Sequence, residues 1–356
     1  MILGIESSCD ESAIALLNEE REILGEWVNS QISKHTEYGG VVPDLAVGEH
    51  LRNFIPLLEI ANKEYDLNKE ISAIAVTCGP GLVGCLGIGI SVAKSLGLIW
   101  GKTVVGVNHL RGHAFSPFIS SGIGTRLAWS EVLPHLGLLV SGGNTLLFEL
   151  DRDRKLRILA KTVDDAVGEA LDKGAKLLGI PYPGGAKLES YAENGSSSAF
   201  SFPRAFKNTS EMKFSFSGLK TSLLYTLKKM SKAEISDSFA DLCASYQSAA
   251  IEQLVSRTQQ AIKSGHYLSI GLSGGVANNK KLRTSLLETA RSEEISFLPA
   301  RMQHSGDNAS MVAFASLVDE EGLWSNKQQS LSFRPSLGLE ELSNHSLKRA
   351  ELFESI

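Results

Sequence analysis

The chain has 356 residues, of which 43% are hydrophobic and 21% are charged, and its net charge is −5 at pH 7. This length allows two domains with separate cores, while the negative charge argues weakly against a protein that binds nucleic acid by its own surface charge. The four cysteines form no metal-type CxxC pair, and neither an uninterrupted membrane-spanning apolar stretch nor a signal peptide is recognised. We therefore expect a cytoplasmic protein with reduced thiols and no membrane segment.

The first part of the chain predicts three strands followed by alternating helices and strands. The periodicity places strands at residues 1–6, 12–17, 22–30, 71–77 and 103–107, and helices at about 44–64 and 86–100. Asp10 and Glu11 lie in the polar turn between the first two strands. Carboxylates in turns usually bond their own backbone. Alternatively, this pair could orient a metal–phosphate group or accept a proton.

Two histidines follow the last of these strands. If a helix begins here, His109 and His113 share one face, with Cβ atoms roughly 6 Å apart, and could bind one metal ion. Metalloproteases use this spacing with a glutamate after the first histidine as general base, whereas this chain has Leu110. Asp307 precedes a predicted helix at 309–317 and is either its N-cap or a third ligand. Two imidazoles and a carboxylate suit iron, zinc or manganese, although a surface or capping histidine pair is the simpler alternative.

After a predicted surface loop at 122–130, the pattern begins again. Strands are expected at 137–140, 145–150, 156–160, 267–272 and 295–298, and helices at 167–178, 219–230, about 235–263 and 279–290. The repetition predicts an α/β fold with two lobes around a central cleft, as in the actin–hexokinase–Hsp70 class. We expect an N-terminal lobe over 1–130, a second lobe over 131–305, a helix at 306–325 that returns to the first lobe and a polar tail over 326–356.

Several segments of the second half have both a structural and a ligand-binding interpretation. The turn at 141–144 is a good hairpin turn, or a nest of N–H groups for an anion. The turn at 273–276 is a tight strand-to-helix connection, or leaves room for an adenosine with Asn279 as hydrogen-bond partner. Asp172 lies on a solvated helix face, or binds ribose hydroxyls. The aromatic segment at 214–221 packs on a helix, or clasps RNA. Together with the histidine pair, these turns favour a nucleotide site.

The motifs in their order resemble the tRNA threonylcarbamoyltransferases of the TsaD/Gcp family, once called O-sialoglycoprotein endopeptidases. The matching stretches cover about residues 1–320 and lie at 4–11, 39–43, 79–84, 108–113, 140–145, 164–173, 182–185, 214–220, 274–276 and 307–309. The chain departs from the family pattern at Val47 and Gly48, where Ser-Arg is usual. We therefore expect that a phosphate or tRNA contact is altered there.

The resemblance implies the two-lobed fold named above, which is abbreviated ASKHA, and an acyltransferase. Such an enzyme moves a threonylcarbamoyl group from threonylcarbamoyl-AMP to N6 of adenosine 37 in tRNAs that read ANN codons. It also implies one divalent metal ion per subunit, Fe²⁺ or Zn²⁺ with Fe²⁺ favoured, bound by His109, His113 and Asp307. Threonylcarbamoyl-AMP or an adenine nucleotide would be bound by Leu139, Val140, Ser141, Gly142, Gly143, Asp172, Gly185, Glu189 and Asn279.

Asp10 and Glu11 are the candidate catalytic residues, as general bases. The partners expected from the resemblance are the tRNA anticodon loop, an inactive paralogue subunit and a small ATPase subunit. Three alternatives stay open at this point. A non-catalytic scaffold would resemble the paralogue, which lacks the histidine pair. A metalloprotease would need a glutamate in place of Leu110. A sugar kinase or simple ATPase of the same fold class has no use for the two histidines.

Overall fold

The computed structural model describes residues 1–119, 121–123, 127–207, 209–325 and 331–342, and they form two compact units. Unit 1 contains Met1–Ala128 and the chain from Gln303 onward, and unit 2 contains Trp129–Met302. Unit 2 is therefore one continuous segment, inserted between the two parts of unit 1.

Strands and helices alternate along most of the described chain. In order, they are β1 (Ile2–Glu6), β2 (Glu11–Leu17), β3 (Ile23–Ser30), α1 (Ile32–Thr36), α2 (Pro43–Glu64), α3 (Leu67–Glu70), β4 (Ala73–Gly79), α4 (Val83–Trp100), β5 (Thr103–Asn108), α5 (His109–Ile119), β6 (His135–Val140), β7 (Thr145–Leu150), β8 (Leu156–Thr162), α6 (Val167–Leu177), α7 (Gly184–Ala192), β9 (Lys213–Phe214), α8 (Ser217–Lys228), α9 (Lys232–Asp237), α10 (Phe239–Ser264), β10 (Ser269–Ser273), α11 (Lys280–Ser292), β11 (Ser296–Pro299), α12 (Ala309–Val318) and β12 (Leu323–Ser325).

Unit 1 is built on a six-stranded sheet with the order β12-β5-β4-β1-β2-β3. β1, β4 and β5 run parallel, while β2, β3 and β12 run antiparallel to their inner neighbours. Every residue of the three parallel strands is buried, as expected for apolar strands that are covered on both faces. Helix α12 approaches β1 so closely that a Cβ atom on Gly4 would lie 2.4 Å from the Ala309 carbonyl oxygen. This contact places the loop before α12 next to the same sheet whose strand β5 leads directly into α5.

Unit 2 contains a second six-stranded sheet, with the order β11-β10-β6-β7-β8-β9. β6 and β7 form the predicted hairpin, closed by the Ser141 N–H bond to the Asn144 carbonyl at 2.8 Å. Helix α10 crosses the core of this unit, where the buried Tyr246 hydroxyl donates to the Ala170 carbonyl at 2.8 Å. Gly274 has a φ of +88° and lies against Val140, so that a Cβ atom there would be 2.2 Å from the Val140 carbonyl oxygen. A glycine at this position therefore allows the turn after β10 to pack against the end of β6.

Most strands and helices lie where the periodicity predicts them, and the differences have local causes. The helix predicted at about 235–263 is two helices, α9 and α10, because Ser238 leaves the helical conformation. A capping box between Ser231 and Glu234 begins α9. Helix α7 was not predicted, since the segment Pro181–Gly185 has the composition of a turn.

The polar tail at 326–356 was predicted from its composition alone, without assigned elements. Leu331, Leu337 and Leu339 of this segment are buried in unit 1, and just before it β12 pairs antiparallel with β5. The polar composition of this segment therefore did not indicate that these three leucines are buried. Residues 326–330 and 343–356 of the predicted tail, and residues 124–126 of the predicted loop, lie outside the described residues.

Helix α4 is long and apolar enough to cross a membrane by length and composition alone. Lys94 interrupts its apolar sequence, so this helix does not contradict the expectation of no uninterrupted apolar stretch of this length. One such helix is only a weak indication, because core helices pass the same test, and α4 packs against β4 and α2 in unit 1.

The buried imidazole of His135 makes the stability of unit 2 depend on pH. It is fully buried, with Nδ1 2.7 Å from the Ser269 hydroxyl, and burial lowers its pKa from 6.5 to about 3. Between these values the unfolded chain takes up a proton that the folded chain excludes, so stability falls as pH falls through this window. The limiting slope is about 1.4 kcal/mol per pH unit.

We predict that His135→Asn, which keeps a donor near Nδ1, removes this term. Between pH 7 and pH 5 the wild type should lose about 2 kcal/mol more of its free energy of unfolding than the variant. Urea denaturation at the two pH values measures the difference. The exposed His266→Asn serves as control and should follow the wild type. Parallel pH profiles for wild type and His135→Asn would contradict the prediction.

Candidate functional site

The two histidines begin helix α5 directly at the end of β5. The Asn108 side chain caps this helix by accepting hydrogen bonds from the backbone N–H groups of Leu110 at 2.9 Å and Arg111 at 3.4 Å. Every residue from His109 to Phe118 is buried. The rings of His109 and His113 lie with centroids 4.7 Å apart and planes at 89°. Both imidazoles therefore present nitrogen atoms to one side of a buried helix.

Asp307 faces both rings. Its Oδ1 lies 3.0 Å from Nε2 of His113 and 3.4 Å from Nε2 of His109, and the three candidate ligand atoms lie within 4.8 Å of one another. The N-cap of α12 is Asn308, whose side chain accepts from the Met311 N–H at 2.8 Å. The interpretation of Asp307 as this N-cap is therefore wrong, and its carboxylate is left to the two histidines.

A second carboxylate orients His109. Glu6 ends β1 and is fully buried, and its Oε2 lies 3.1 Å from Nδ1 of His109, which is also 3.2 Å from the Ser8 hydroxyl. Glu6 Oε2 accepts from the Thr77 hydroxyl at 2.6 Å. A carboxylate on one ring nitrogen turns the other toward a ligand, which is the usual arrangement of metal-binding histidines. Glu6 was not among the residues predicted from the sequence, although an acidic residue that ends an apolar strand was a usable signal.

The charges of this cluster are strongly coupled. Burial alone would raise the pKa of Asp307, but the charge of His109 and hydrogen bonds from both histidines hold it well below its ordinary value. Burial alone would lower the pKa of His109, but Asp307 and Glu6 raise it well above 6.5. Burial lowers the pKa of His113. His109 thus lies between two carboxylates that favour its protonated form, and because a metal ligand must be a neutral imidazole, a cation that binds here competes with a proton.

The donor set fits a divalent metal ion. Ligand atoms about 2.1 Å from a tetrahedral ion lie about 3.4 Å from one another, close to the separations of 3.0 and 3.4 Å between Asp307 and the two imidazoles. Two imidazoles and one carboxylate suit iron and zinc better than magnesium or calcium. The group His109, His113 and Asp307 could therefore bind a metal.

Asp10 and Glu11 are adjacent carboxyl residues in the same unit, at the turn between β1 and β2. Glu11 begins β2 and also accepts from the Ser30 hydroxyl at 3.0 Å. Burial, followed by the negative charges of Asp307 and Asp10, raises the pKa of Glu11 to about 9. At neutral pH Glu11 therefore keeps its proton and can act as a hydrogen-bond donor.

The remaining candidate residues all belong to unit 2. Leu139 and Val140 are buried at the end of β6, and Ser141, Gly142 and Gly143 form the turn that follows. Added Cβ atoms on Gly142 and Gly143 would meet no other atom within 4 Å, so the backbone of this turn is open on that side.

Helix α7 connects three of the other candidates. Asp172 accepts hydrogen bonds from the backbone N–H groups of Gly184 and Gly185, both at 2.8 Å. Burial raises the pKa of Asp172, although these two hydrogen bonds oppose the shift. Glu189, further along α7, accepts from the Lys280 N–H at 2.7 Å. Asp172 therefore faces the start of α7, and the simpler interpretation of a solvated helix face is wrong for this residue.

Asn279 lies next to Lys280 and is almost fully buried. Its side chain caps α11 by accepting from the Leu282 N–H at 2.9 Å, and it donates to the Gln247 side chain at 3.0 Å. A cavity of about 410 Å³ is lined by Glu189, Gln247 and Lys280 among others. The structure thus brings Asp172, Gly185, Glu189 and Asn279 together around α7 and α11.

The aromatic segment after β9 is part of the core. Phe214 and Phe216 are fully buried, with ring centroids 6.2 Å apart. Asp164 holds the segment by accepting from the Phe216 N–H at 2.8 Å and from the Ser217 hydroxyl at 2.7 Å. Because neither ring is accessible, the interpretation of these aromatics as an RNA-stacking surface is wrong.

A buried ion pair anchors the histidine helix to the C-terminal part of unit 1. Arg111 lies between the two histidines and forms a two-pronged ion pair with Asp319, with its Nη2 2.6 Å from Oδ1. Its Nη1 donates to the Leu339 carbonyl at 3.3 Å. Asn108 donates to the Gly338 carbonyl at 2.8 Å. A Cβ atom on Gly322 would lie 2.2 Å from the Asp319 carboxylate, so glycine is needed beside this pair.

We predict that Asp319→Asn lowers the free energy of unfolding by about 3–5 kcal/mol, because it leaves the buried Arg111 charge without a counter-ion. The double variant Arg111→Met/Asp319→Leu should recover most of this loss, since no charge is then buried. Urea denaturation measures both. Glu211→Gln, which breaks the exposed pair with Lys213, serves as control and should change stability by less than about 1 kcal/mol. A loss that the double variant does not relieve would contradict the role of charge.

We predict that His113→Gln weakens Zn²⁺ binding more than about 100-fold, because one of three ligands is lost, and that Glu6→Gln weakens it about 10- to 100-fold by releasing the orientation of His109. Competition with a fluorescent chelator measures both affinities. His35→Gln is the matched control, since His35 is equally buried in unit 1 but bonds Gln31 and the Val42 N–H. Equal affinities for all four proteins would mean that the metal binds elsewhere.

The chain is similar in sequence to known proteins over most of its length. The family model described as tRNA N6-adenosine threonylcarbamoyltransferase, TsaD, matches residues 22–314. The chain is 44% identical over 317 residues to the tRNA N6-adenosine threonylcarbamoyltransferase of Anaeromyxobacter sp. (strain Fw109-5), covering 88% of this chain and 92% of that protein. It is 40% identical over 340 residues to the protein of the same name from Fervidobacterium nodosum, covering 94% and 97%.

Two solved structures share the fold at low sequence identity. HypF of T. kodakarensis has a TM-score of 0.55 at 15% identity, covering 88% of this chain and 46% of that one. Component A of the (R)-2-hydroxyglutaryl-CoA dehydratase of Acidaminococcus fermentans has a TM-score of 0.50 at 15% identity, covering 88% and 96%. These similarities confirm the predicted α/β fold of the ASKHA class, and the closer relatives confirm the predicted acyltransferase. The chain belongs to the TsaD family of tRNA N6-adenosine threonylcarbamoyltransferases.

Proposed function

We propose that this enzyme transfers the threonylcarbamoyl group from threonylcarbamoyl-AMP to N6 of adenosine 37 in tRNAs that read ANN codons, with AMP as the second product. The observation that carries the proposal is the cluster of the buried His109 and His113 with the partly exposed Asp307, together with Leu110 at the position of a protease's general base. This arrangement supports a metal that holds a substrate, and it disfavours a metalloprotease.

The metal proposed for this cluster is one divalent ion per subunit, Fe²⁺ or Zn²⁺, with Fe²⁺ favoured. When bound, such an ion supplies positive charge to a carboxylate, phosphate or carbonyl oxygen of the substrate. Glu6 keeps His109 in the ligand orientation, and Arg111 keeps the helix in place.

The reaction requires N6 of adenine to attack the carbamoyl carbon while the bond from that carbon to the phosphate oxygen breaks. AMP leaves with the electrons of that bond, and N6 loses a proton. Because the exocyclic amine is a weak nucleophile, precise positioning should supply much of the rate. We assign the proton acceptor to Asp10 and give Glu11 the role of a neutral hydrogen-bond donor to Asp10, on the basis of its pKa of about 9.

The adenylate site is proposed to consist of Leu139, Val140, Ser141, Gly142, Gly143, Asp172, Gly185, Glu189 and Asn279. Two observations support it. The backbone of the turn at 141–143 is open on the side of its glycines, so that its N–H groups could approach a phosphate or carboxylate. Asp172 is held at the start of α7, Glu189 and Asn279 are held where α7 meets α11, and Glu189 lines the cavity of about 410 Å³. Fixed elements of this kind keep a binding site in its productive geometry.

The proposed partners are the tRNA anticodon loop, an inactive paralogue subunit and a small ATPase subunit. Two observations support protein partners. A net charge of −5 supplies little affinity for tRNA, so partners are needed to provide it. Helices α2 and α4, which pack together, expose the large apolar side chains of Leu51, Ile55, Leu98 and Ile99. Exposed apolar groups on neighbouring helices are typical of interaction surfaces.

We further propose a cytoplasmic location without a membrane segment, and a two-lobe organisation over residues 1–130 and 131–305.

A transfer assay with threonylcarbamoyl-AMP, unmodified tRNA and the partner proteins tests the proposal. We expect modified adenosine from the wild type, and a rate at least about 100-fold lower from Asp10→Asn and His109→Ala. Metal content and urea denaturation of each variant separate loss of chemistry from loss of metal or fold.

Each outcome of this assay has a distinct meaning. If the folded, metal-loaded wild type forms no product with its partners, the non-catalytic scaffold becomes the better description. Product from the wild type and from His109→Ala in equal amounts would leave the transferase standing and remove the metal from its chemistry. Full activity of Asp10→Asn would refute the assignment of the proton acceptor.

A further inference from the structure

A separate cavity of unit 2 has a strongly basic lining. It encloses about 270 Å³ beside α10 and α11, next to the segment that follows Phe202. Four of its lining residues are cationic, namely Arg204, Lys207, Arg257 and Lys281, and Glu252 is the single acidic one. The lining therefore carries a formal charge of +3, although the whole chain carries −5. A concave surface with this excess of one sign concentrates anions.

Only one of these cations has a carboxylate partner among the residues that the structure describes. Arg204 forms a two-pronged pair with Glu252, at 2.7 and 3.0 Å. Lys281 donates to the Ser248 hydroxyl at 2.9 Å, and burial lowers its pKa. Lys207 is exposed at the rim.

Of the four cations, Arg257 has the highest cost of burial. Only 3% of the residue is exposed, and its guanidinium donates to Gln260 and to the carbonyl groups of Phe206 and Thr209, with no ion pair in the described chain. A buried charge without a counter-ion destabilises the fold. An anion in the cavity would offset this cost.

Two further features, one in the lining and one beside it, indicate a ligand. Gln253 is 5% exposed and donates to the Ala249 carbonyl at 3.4 Å, while its buried Oε1 has no hydrogen-bond partner in the described part of the chain. An acceptor left in this state calls for a donor. Phe206, whose carbonyl bonds Arg257, has a φ of +56°, a strained conformation for an aromatic residue. Strain of this kind clusters at binding sites.

We propose that this cavity binds a small phosphomonoester whose organic part carries a hydroxyl group, such as a pentose phosphate. A phosphomonoester carries a charge of about −1.5 to −2 at pH 7 and so offsets more of the +3 lining than a carboxylate does. The volume equals that of about nine water molecules, more than inorganic phosphate alone fills. The apolar side chains of Ile251 and Val255 also line the cavity and suit the carbon skeleton. The ligand hydroxyl would donate to Gln253.

The cavity is distinct from the proposed adenylate site. It shares Lys281 and Ser285 with the cavity of about 410 Å³, but its lining contains neither Glu189 nor any other residue assigned to the adenylate. The inference therefore does not rest on the proposed transferase chemistry. Ribose 5-phosphate is a fragment of AMP, so the variants at Lys207 and Gln253, which lie outside the adenylate site, distinguish binding in this cavity from binding there.

Calorimetric titration of the full chain with ribose 5-phosphate, inorganic phosphate and ribose tests the inference. Wild type should bind ribose 5-phosphate more tightly than inorganic phosphate and should not bind ribose. Lys207→Gln and Lys281→Met should each weaken ribose 5-phosphate about tenfold, through loss of a charge-assisted contact. Gln253→Met, of similar shape, should weaken ribose 5-phosphate but leave inorganic phosphate unchanged. Lys161→Gln, an exposed lysine on β8, is the matched control and should behave as wild type.

Absence of saturable binding of ribose 5-phosphate at millimolar concentration would overturn the inference. The same holds for binding that Lys207→Gln and Lys281→Met leave unchanged, because the anion would then lie elsewhere. If inorganic phosphate binds as tightly as ribose 5-phosphate and Gln253→Met has no effect, the site is one for free phosphate and the phosphomonoester assignment is wrong. Urea denaturation tests whether each variant is folded. Because Lys207 is exposed, its substitution should disturb the fold least.

Discussion

The carboxylate of Asp307 between two buried imidazoles is the contact on which the arrangement of unit 1 depends. It joins residues almost two hundred positions apart, and it needs β1 and β5 to run in parallel so that Glu6 and His109 meet at the same sheet edge. Charge stabilises the contact, because the buried Glu6 and the partly exposed Asp307 raise the pKa of His109 and its protonated form offsets their negative charges. The same negative charges create a binding preference for a divalent cation.

Local patterns allowed much of this to be predicted from the sequence. Apolar periodicity located nearly all of the long helices and strands, and the spacing of His109 and His113 indicated a shared helix face. The choice between cap and ligand for Asp307 could not be made, because Asp307 and Asn308 are both good capping residues and stand next to each other. Only the hydrogen bond from Met311 to Asn308 decides it.

Features that depend on distant pairs were not predictable from one sequence. The sequence around Arg111 does not indicate its ion pair with Asp319. Likewise, the sequence around Asp172 does not indicate that it accepts hydrogen bonds from the N–H groups at the start of α7. In the C-terminal segment, single apolar residues are separated by polar ones, so the sequence shows no helix or strand periodicity. Leu331 and Leu337 are nevertheless buried. In the same way, the aromatic segment at 214–216 has the composition of a nucleic-acid surface, and only its burial excludes that role.

The division of unit 1 into two parts of the chain has a consequence for its synthesis. Trp129–Met302 is continuous and can fold as soon as it emerges from the ribosome. Unit 1 has to wait, with the outer edge of β5 unpaired and His109 without Asp307, until the chain beyond Leu323 has been made. The nascent protein therefore acquires its metal-binding capacity late and in one step, and a chain that ends before Asp307 exposes a strand edge that can pair with other chains.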